Sequence, residues 1–462
     1  VTQFSFPEPV ASSSATPALA GSSPQPDNKG VQPRTVAIIG GGIAGLVCAL
    51  RLAEAGRQVT LIEATDQLGG LGGTSDHDGR TFEKFYHCML PTDGPLLDLL
   101  SDLGLRDEVY WKPTTFGYAS GATIFPLNKA LDLLKFAPLG FADRIRVGLT
   151  GLQGRRISSE GLDDITAVEW LTKLSGRKAF EVFWKPMLQA KFGDRYEAVP
   201  ALWFWSRFNR EKGDKKGEVK GYIRGGYRRI AEIIGNRITS LGGSVRLRER
   251  MVMLDLDRAG RPLVVTSRGE ASYDQVVITT PWQGIDRTLG ANLRRALPPL
   301  DMNIDYQGVT NCLLFLRRPL SPHYWVATPE STYPFDGVIE TSNLTEETDR
   351  GARHVVYLTK YMHRDDPRFR EDEDLLSIEW WVALKKLFPD LRDQDLERRQ
   401  VFRAPFVEPL YTTGYNGRRP PEELVAGRVF LSNTAQVYPT VTSWNGSVTQ
   451  AIKTLEHVLV NC

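Results

Sequence analysis

The sequence predicts an α/β protein, and three stretches carry that prediction. Residues 36–63, VAIIGGGIAGLVCALRLAEAGRQVTLIE, have the local chemistry of a strand, a glycine turn, a helix and a second strand. Residues 273–281, YDQVVITTP, read as an apolar strand ending in Thr279, Thr280 and Pro281. Residues 427–434, GRVFLSNT, read as another, and the apolar positions Val448, Ala451, Ile452 and Leu455 beyond it have helical spacing. Short apolar runs alternating with helical patterns are what a parallel sheet covered on both faces requires.

The first stretch also predicts a ligand. Gly40, Gly42 and Gly45 follow the strand at G-x-G-x-x-G spacing. The first glycine permits a tight turn, the second lets backbone approach a pyrophosphate, and the third lets the helix pack close to the strand. Leu46, Ala49, Leu50 and Ala53 recur at helical spacing, Gly56 supplies a stop, and the second strand ends in Glu63. A carboxylate there accepts hydrogen bonds from both ribose hydroxyls and repels a 2'-phosphate, so an unphosphorylated adenosine dinucleotide is expected. The fingerprint by itself does not choose between NAD and FAD.

Composition bounds the rest. The 462 residues exceed the roughly 250–300 at which one hydrophobic core stops growing, so two domains are expected. Apolar residues at 41% and charged residues at 24% describe an ordinary soluble globular chain. A formal net charge of +2 gives no reason to expect nucleic acid as a partner. Cys48, Cys88, Cys312 and Cys462 form no C-x-x-C pair, so no disulfide framework, metal site or dithiol centre is expected, and a reducing, cytoplasmic location fits. The chain has no apolar run of the roughly 18 residues that a spanning helix needs. Residues 1–33, rich in Ser, Pro, Ala and Gly, read as a disordered tail without the basic start and apolar core of a signal peptide.

Residues 64–74, ATDQLGGLGGT, add a second glycine cluster. A strand, G-G-G-I-A-G-L, an acid ending the second strand and then L-G-G together resemble the start of the flavin amine oxidase superfamily, which includes protoporphyrinogen oxidases, phytoene-type desaturases and, more distantly, UDP-galactopyranose mutases. The resemblance implies FAD, and with it a discontinuous Rossmann-like FAD-binding domain of residues 34–105, 219–290 and 405–462, carrying an inserted α+β substrate domain of residues 106–218 and 291–404. It implies a cofactor site in three parts. Gly40, Gly42, Ile43, Ala44, Gly45, Glu63 and Ala64 would take the adenosine diphosphate end. Gly69, Gly70 and Leu71 would lie against the pyrophosphate, with Leu71 standing where many members carry Arg, so no direct Arg contact is expected there. Val252 matches the position whose backbone meets adenine, and Thr280 ends the strand beside the cofactor. Asn433, Asn445, Gly446, Ser447 and Val448 match the second FAD motif, where a helix beginning near Gly446 aims its N-terminal dipole at the flavin N1 and C2 carbonyl. No second G-x-G-x-x-G follows a strand, so no built-in NAD(P)H domain is expected.

Between these landmarks the chain changes texture. Residues 81–87, TFEKFYH, resemble the segment that runs beneath the isoalloxazine, and His87 is a candidate to face it; a hydrogen-bonded junction histidine is the plainer alternative. Residues 95–103 read as a helix, 111–125 as short aromatic strands, and 131–141 and 165–174 as helices. Residues 131–146, LDLLKFAPLGFADRIR, mix Leu and Phe with Lys and Arg as a membrane-surface segment does, but Pro138 and Gly140 interrupt it, and packing within the substrate domain is the expectation. Residues 186–199 resemble the family's proline-then-FGD region, making Lys191 and Arg195 candidate cavity cations. Residues 211–220 read as a charged loop, and 221–230, GYIRGGYRRI, as a glycine turn before a helix running to Ile238, with Tyr222 and Arg224 as further candidates. Strands are expected at 310–315 and 354–358, and a helix at 375–387 with Trp380 and Trp381 in the core.

The expected function is that of an FAD-dependent oxidoreductase moving hydride between a small-molecule substrate and flavin N5, with His87, Lys191, Tyr222 and Arg224 on the substrate face and a separate electron acceptor. The alternatives are a mutase acting on a sugar nucleotide, with Arg224 and Tyr227 on its diphosphate, and a non-catalytic protein like the GDP-dissociation inhibitors. An exposed 131–146 surface would add peripheral membrane contact.

Overall fold

The opening strand Thr35–Ile39 lies in the middle of a six-stranded sheet whose spatial order is Glu423–Val425, Val429–Leu431, Gln275–Ile278, Thr35–Ile39, Gln58–Ile62 and Ser244–Arg246. All neighbours are parallel except the antiparallel edge strand Glu423–Val425. In register, Ile38 sits between Leu61 and Val277. The computed structural model describes residues 34–154, 156–210, 218–299 and 304–460. The expected N-terminal tail, most of the charged 211–220 loop, and Cys462 lie outside the described residues.

Alternation along each strand explains why these apolar runs are nearly continuous: successive side chains leave opposite faces, and both faces are covered. Val36, Ile38, Val59, Leu61 and Val277 pack with the helices Ile43–Glu54, Gly226–Ser240 and Trp444–Val460. Ala37, Ile39, Ile62, Val276 and Ile278 pack on the other side with Met251, Leu254 and Val264 of a three-stranded antiparallel sheet and with Trp282, Ile285 and Leu293. The arrangement is a mixed α/β layering with a parallel sheet at its centre.

A second sheet has seven strands in the order Leu396–Pro409, Tyr306–Leu316, His354–His363, Gly337–Glu340, Trp325–Ala327, Phe116–Ser120 and Thr123–Pro126. Its two faces divide in the same way. Cys312, Leu314, Val356 and Leu358 meet Leu376, Trp380, Trp381 and Leu384 of the helix Glu373–Leu387, so both tryptophans are core residues. Leu313, Phe315, Val355 and Tyr357 face the cluster that holds the opening helix. The Glu373–Leu387 helix starts where Asp372 accepts the N–H groups of Asp374 and Leu375, each at 3.0 Å. Its Glu373 and Asp374 at one end and Lys385 and Lys386 at the other complement the helix dipole.

The helical stretch at 165–174 is Ala167–Ser175, opened by a reciprocal cap: Thr166 Oγ1 accepts Glu169 N–H at 3.1 Å and Glu169 accepts Thr166 N–H at 3.0 Å. The stretch at 131–141 differs from the expectation in part. Pro138 and Gly140 divide it into Ala130–Leu134 and Phe141–Gly154; Phe136 and Leu139 between them pack in the core with Val147, as expected of this stretch, while Leu131, Leu134, Phe141 and Ile145 are left on the outside. The buried side of Phe141–Gly154 is Asp143, Val147, Thr150 and Gly154. Helical periodicity marks two faces in a sequence; which one faces the core is decided by the shape of what it packs on.

Candidate functional site

The site is built from the first glycine turn outward. Gly40 has φ +108° at the end of the opening strand, and a Cβ on Gly45 would lie 1.9 Å from the Gly40 carbonyl oxygen, so helix and strand touch backbone to backbone. The helix Ile43–Glu54 has no capping side chain and no acid in its first turn, although Ile43 and Ala44 are buried. Its first amides are therefore donors inside the protein with nothing local to satisfy them. The second glycine cluster closes on the first: Gly69 N–H donates to Gly41 O at 2.8 Å, and a Cβ on Gly70 would stand 3.0 Å from Gly42 Cα. Leu71 follows in the short turn Gly70–Gly72 and is half-buried.

Glu63 ends the second strand and is fixed by the turns on either side. Its Oε2 accepts Gly41 N–H at 2.7 Å and its Oε1 accepts the N–H and hydroxyl of Thr65, both at 2.8 Å, while Ala64 between them is exposed. Glu249 N–H donates to Glu63 O at 3.0 Å and Arg248 N–H to Thr65 O at 2.7 Å. Val252 follows in a bulge: Met251 pairs with Thr266 and Met253 with Val265, leaving Val252 without a cross-strand partner. Thr280 Oγ1 is buried and makes no hydrogen bond, and the Thr280 carbonyl accepts Asn433 Nδ2 at 3.1 Å. An uncapped buried helix end, a glycine cradle that a Cβ would fill and an orphaned hydroxyl together fit a bound dinucleotide.

The closing helix Trp444–Val460 brings the other end of the chain to this cradle. A Cβ on Gly72 would meet Trp444 Cζ2 at 2.5 Å, so the backbone at Gly72 lies directly against that indole. Several expected cofactor residues here are engaged within the protein. Asn433 Oδ1 accepts Ala435 N–H at 3.0 Å, and Asn445 Oδ1 accepts Leu96 N–H at 3.0 Å. Gly446 N–H donates to Ser443 Oγ at 3.1 Å, Ser447 N–H to Ser443 O at 2.9 Å, and Val448 is a core residue.

Beyond Trp444 lies a group of rings and acids. Tyr227 packs edge-on against Trp444 with centroids 4.8 Å apart, and His87 lies 4.9 Å from Tyr227 and 6.1 Å from Trp444. His87 Nδ1 is 2.8 Å from Phe85 O. A carbonyl only accepts, which assigns the proton to Nδ1 and leaves Nε2 as the basic nitrogen. Desolvation pushes the His87 pKa below its ordinary 6.5, against the opposing pull of Glu83. Glu83 is 6% exposed and holds this region together: its carboxylate accepts Tyr222 OH at 2.7 Å and Tyr227 N–H at 3.0 Å, and its carbonyl accepts Tyr357 OH at 2.8 Å. Burial, and then the Glu83 charge, raise the Tyr222 pKa well above the phenol range. A cavity of about 60 Å³ is lined by Glu83, Tyr86, His87, Tyr222 and Tyr357 among others.

The structure thus brings His87 and Tyr222 together and does not bring Arg224 to them. Arg224 is 53% exposed and pairs with Glu346 at 3.5 Å. Lys191 belongs to a neighbouring buried group, 3.2 Å from the Glu408 carboxylate and 3.8 Å above the Tyr361 ring, and Tyr361 in turn bonds Tyr86 of the cavity. Arg195 is 69% exposed, beside Asp305. The sequence reading missed Glu83 and Glu408. A local signal existed for the first: Asp78 and Gly79, both at positive φ, make the two-residue turn of the hairpin Thr74–His77 and Arg80–Glu83, and Asp-Gly between strands marks such a turn. Among the described residues no cluster of His, Cys, Asp or Glu could hold a metal ion. No helix there is long and apolar enough to cross a membrane.

Comparison with known proteins gives the family of the chain. Residues 43–454 match the family model described as flavin containing amine oxidoreductase. Among curated relatives, a 15-cis-phytoene desaturase of Synechococcus elongatus is 25% identical over 460 residues, covering 92% of this chain and 95% of that protein. Among solved structures, reduced UDP-galactopyranose mutase aligns with a TM-score of 0.73 at 18% identity, covering 93% of this chain and 96% of that one. Putrescine oxidase bound to putrescine aligns with a TM-score of 0.69 at 16% identity, covering 93% and 99%.

Proposed function

The chain belongs to the flavin-containing amine oxidoreductase family and is an FAD-dependent oxidoreductase, and from that premise we propose that it dehydrogenates an organic small molecule at a cavity bordered by His87. The observation that carries this reading is the unbroken contact from the first glycine turn through Gly69–Gly72 and Trp444 to Tyr227 and His87. We read residues 34–105, 219–290 and 405–462 as a discontinuous Rossmann-like FAD domain and 106–218 and 291–404 as an inserted substrate domain. The two separately hydrogen-bonded sheets support that division, and one face of each packs into a shared core.

The amides of Ile43 and Ala44 and the backbone at Gly42 and Gly70 would hold the pyrophosphate, and Glu63 the ribose. FAD, when bound, supplies two-electron redox chemistry, taking a hydride from a substrate carbon. Desaturation also releases a proton, and we read His87 as its acceptor: its Nε2 is the basic nitrogen and its lowered pKa keeps it neutral near pH 7. Tyr222 is a positioning residue, because its proton is committed to Glu83. The Lys191–Glu408 pair holds fixed charge behind Tyr361 and Tyr86. A mutase reading needs Arg224 and Tyr227 on a diphosphate. Arg224 faces outward, and Tyr227 is buried behind His87.

The desaturase relative, matched over nearly its full length, makes carbon–carbon dehydrogenation the first choice of reaction. Purified protein is expected to carry a flavin spectrum that bleaches anaerobically with 15-cis-phytoene in liposomes. Bleaching by putrescine instead would move the substrate class to amines, and protein unable to take up FAD would overturn the whole reading. In His87→Gln the flavin is expected to remain while the bleaching rate falls about 10²–10⁴-fold, the usual contribution of a positioned base. The wild-type rate should decline on the acid side, below the ordinary histidine pKa of 6.5, as the base becomes protonated. An unchanged rate in the variant removes His87 from the chemistry.

A further inference from the structure

The helices Ala130–Leu134 and Phe141–Gly154 carry a row of large apolar side chains on the outside, although Leu133 and Val147 pack inward. Phe141, Ile145, Leu149 and Leu152 follow one another at helical spacing and are 67%, 43%, 46% and 59% exposed. Leu131 at 68% and Leu134 at 38% extend the same surface on the neighbouring helix. The inward side of Phe141–Gly154 holds Asp143 and Thr150 beside Val147 and Gly154. A helix that hides one Val with Asp and Thr and presents Phe, Ile and two Leu leaves its larger apolar face outward, the reverse of what a protein surrounded by water alone requires.

The two helices are tied into one platform. Arg144 Nε donates to Leu139 O at 2.6 Å, its Nη1 donates to Leu134 O, and Leu133 packs against Gly148. Charge surrounds the apolar stripe with one sign. Residues 129–156 contain six Lys and Arg against two Asp, in a chain whose net charge is only +2. Of the two acids, Asp132 caps the N–H groups of Asn128 and Lys129, and Asp143 lies buried beside Arg146 and Lys178. Lys129, Lys135, Arg146 and Arg156 are exposed around the stripe. A second outward apolar row, Leu375, Ile378 and Val382, has charges of both signs around it, Glu373, Asp374 and Glu379 with Lys385 and Lys386, and Arg403 and Arg368 pair with Glu373 and Glu379.

We propose that the Leu131–Leu152 face is a docking surface for an anionic lipid bilayer, on which the apolar stripe enters the headgroup boundary and the surrounding Lys and Arg meet lipid charge. Apolar area together with basic flanks is the combination that gives interfacial binding dependent on lipid composition and salt. Flotation of the full-length holoprotein with phosphatidylcholine vesicles, with and without phosphatidylglycerol, tests it. Binding is expected to the anionic vesicles, weakened by high salt. The triple variant Phe141→Ser, Leu149→Ser, Leu152→Ser should lose that binding by about tenfold or more, and Lys129→Glu with Lys135→Glu should weaken it selectively on anionic vesicles. Leu375→Ser with Ile378→Ser should bind as wild type does. Flavin content and far-UV circular dichroism monitor the fold, which these exposed positions should leave intact. The proposal is overturned if the wild type floats with neither vesicle, or if the triple variant floats as well as the wild type. It is also overturned if the stripe proves to hold a second copy of the chain, seen as a dimer that the triple variant abolishes and vesicles do not disperse.

Discussion

Gly45→Ala is expected to yield protein without flavin and with a lowered unfolding midpoint. The added Cβ would lie 1.9 Å from Gly40 O and 3.0 Å from Thr279 Oγ1. The first neighbour is backbone at the strand end, which has no rotamer to change. In a solvated helix the same substitution stabilises by up to about 1 kcal/mol through lost unfolded-state freedom. Overpacking in a rigid interior costs about 1–3 kcal/mol and more where backbone must move, so the steric term wins. The shift also opens the turn against which Gly69 and Gly70 close, so cofactor retention falls with stability. Gly151→Ala is the matched control, since Gly151 lies in the helix Phe141–Gly154 and its Cβ would meet nothing within 4 Å. It should raise the urea midpoint slightly and leave the flavin in place. If Gly45→Ala binds FAD as wild type does, the backbone contact at Gly40 is not what sets this turn.

What could be read in the sequence, and what could not, follows from how far apart the interacting residues lie. The glycine turn was legible because Gly40, Gly42 and Gly45 enforce their geometry within six residues, and the strand, helix and strand around them are Thr35–Ile39, Ile43–Glu54 and Gln58–Ile62. The strand before Thr279 and the closing helix were legible for the same reason, since an apolar run and a helical period are local. Glu83 was not. Its partners Tyr222 and Tyr227 are 139 and 144 residues away, and no local pattern distinguishes an acid that will be buried from one that will be solvated. Arg224 was expected near the cavity because it adjoins a glycine pair. The strand Val219–Ile223 ends one residue earlier, so Tyr222 points inward while Arg224 falls to the acids Glu346 and Glu108 on the outside. The 131–146 stretch shows the limit in another form: its mixture of Leu and Phe with Lys and Arg was visible, but not that Phe136 and Leu139 would be buried and Leu131, Phe141 and Ile145 exposed.

Glu83→Ala should be the most damaging single substitution at the cavity, and its damage should be separable into structure and charge. The carboxylate sits where the helix Gly226–Ser240 begins, accepting Tyr227 N–H, and Gly226 lies so close that a Cβ there would come within 2.8 Å of Oε1. An anion at a helix N-terminus is stabilised by the helix dipole, which accounts for a carboxylate kept in a buried place. Alanine would leave two buried donors, Tyr222 OH and Tyr227 N–H, without an acceptor. At about 1–3 kcal/mol for each unsatisfied group, the loss amounts to several kcal/mol of unfolding free energy, measurable by urea denaturation. Glu83→Gln keeps an acceptor for Tyr227 N–H and should recover most of that stability. It also removes the charge that holds the His87 pKa up against desolvation, so the acid limb of flavin reduction should move to lower pH in Glu83→Gln, while the Tyr222 phenol becomes easier to ionise. A glutamine variant as unstable as the alanine variant would show that the negative charge itself, rather than the hydrogen bonds, holds the helix and the two tyrosines in place.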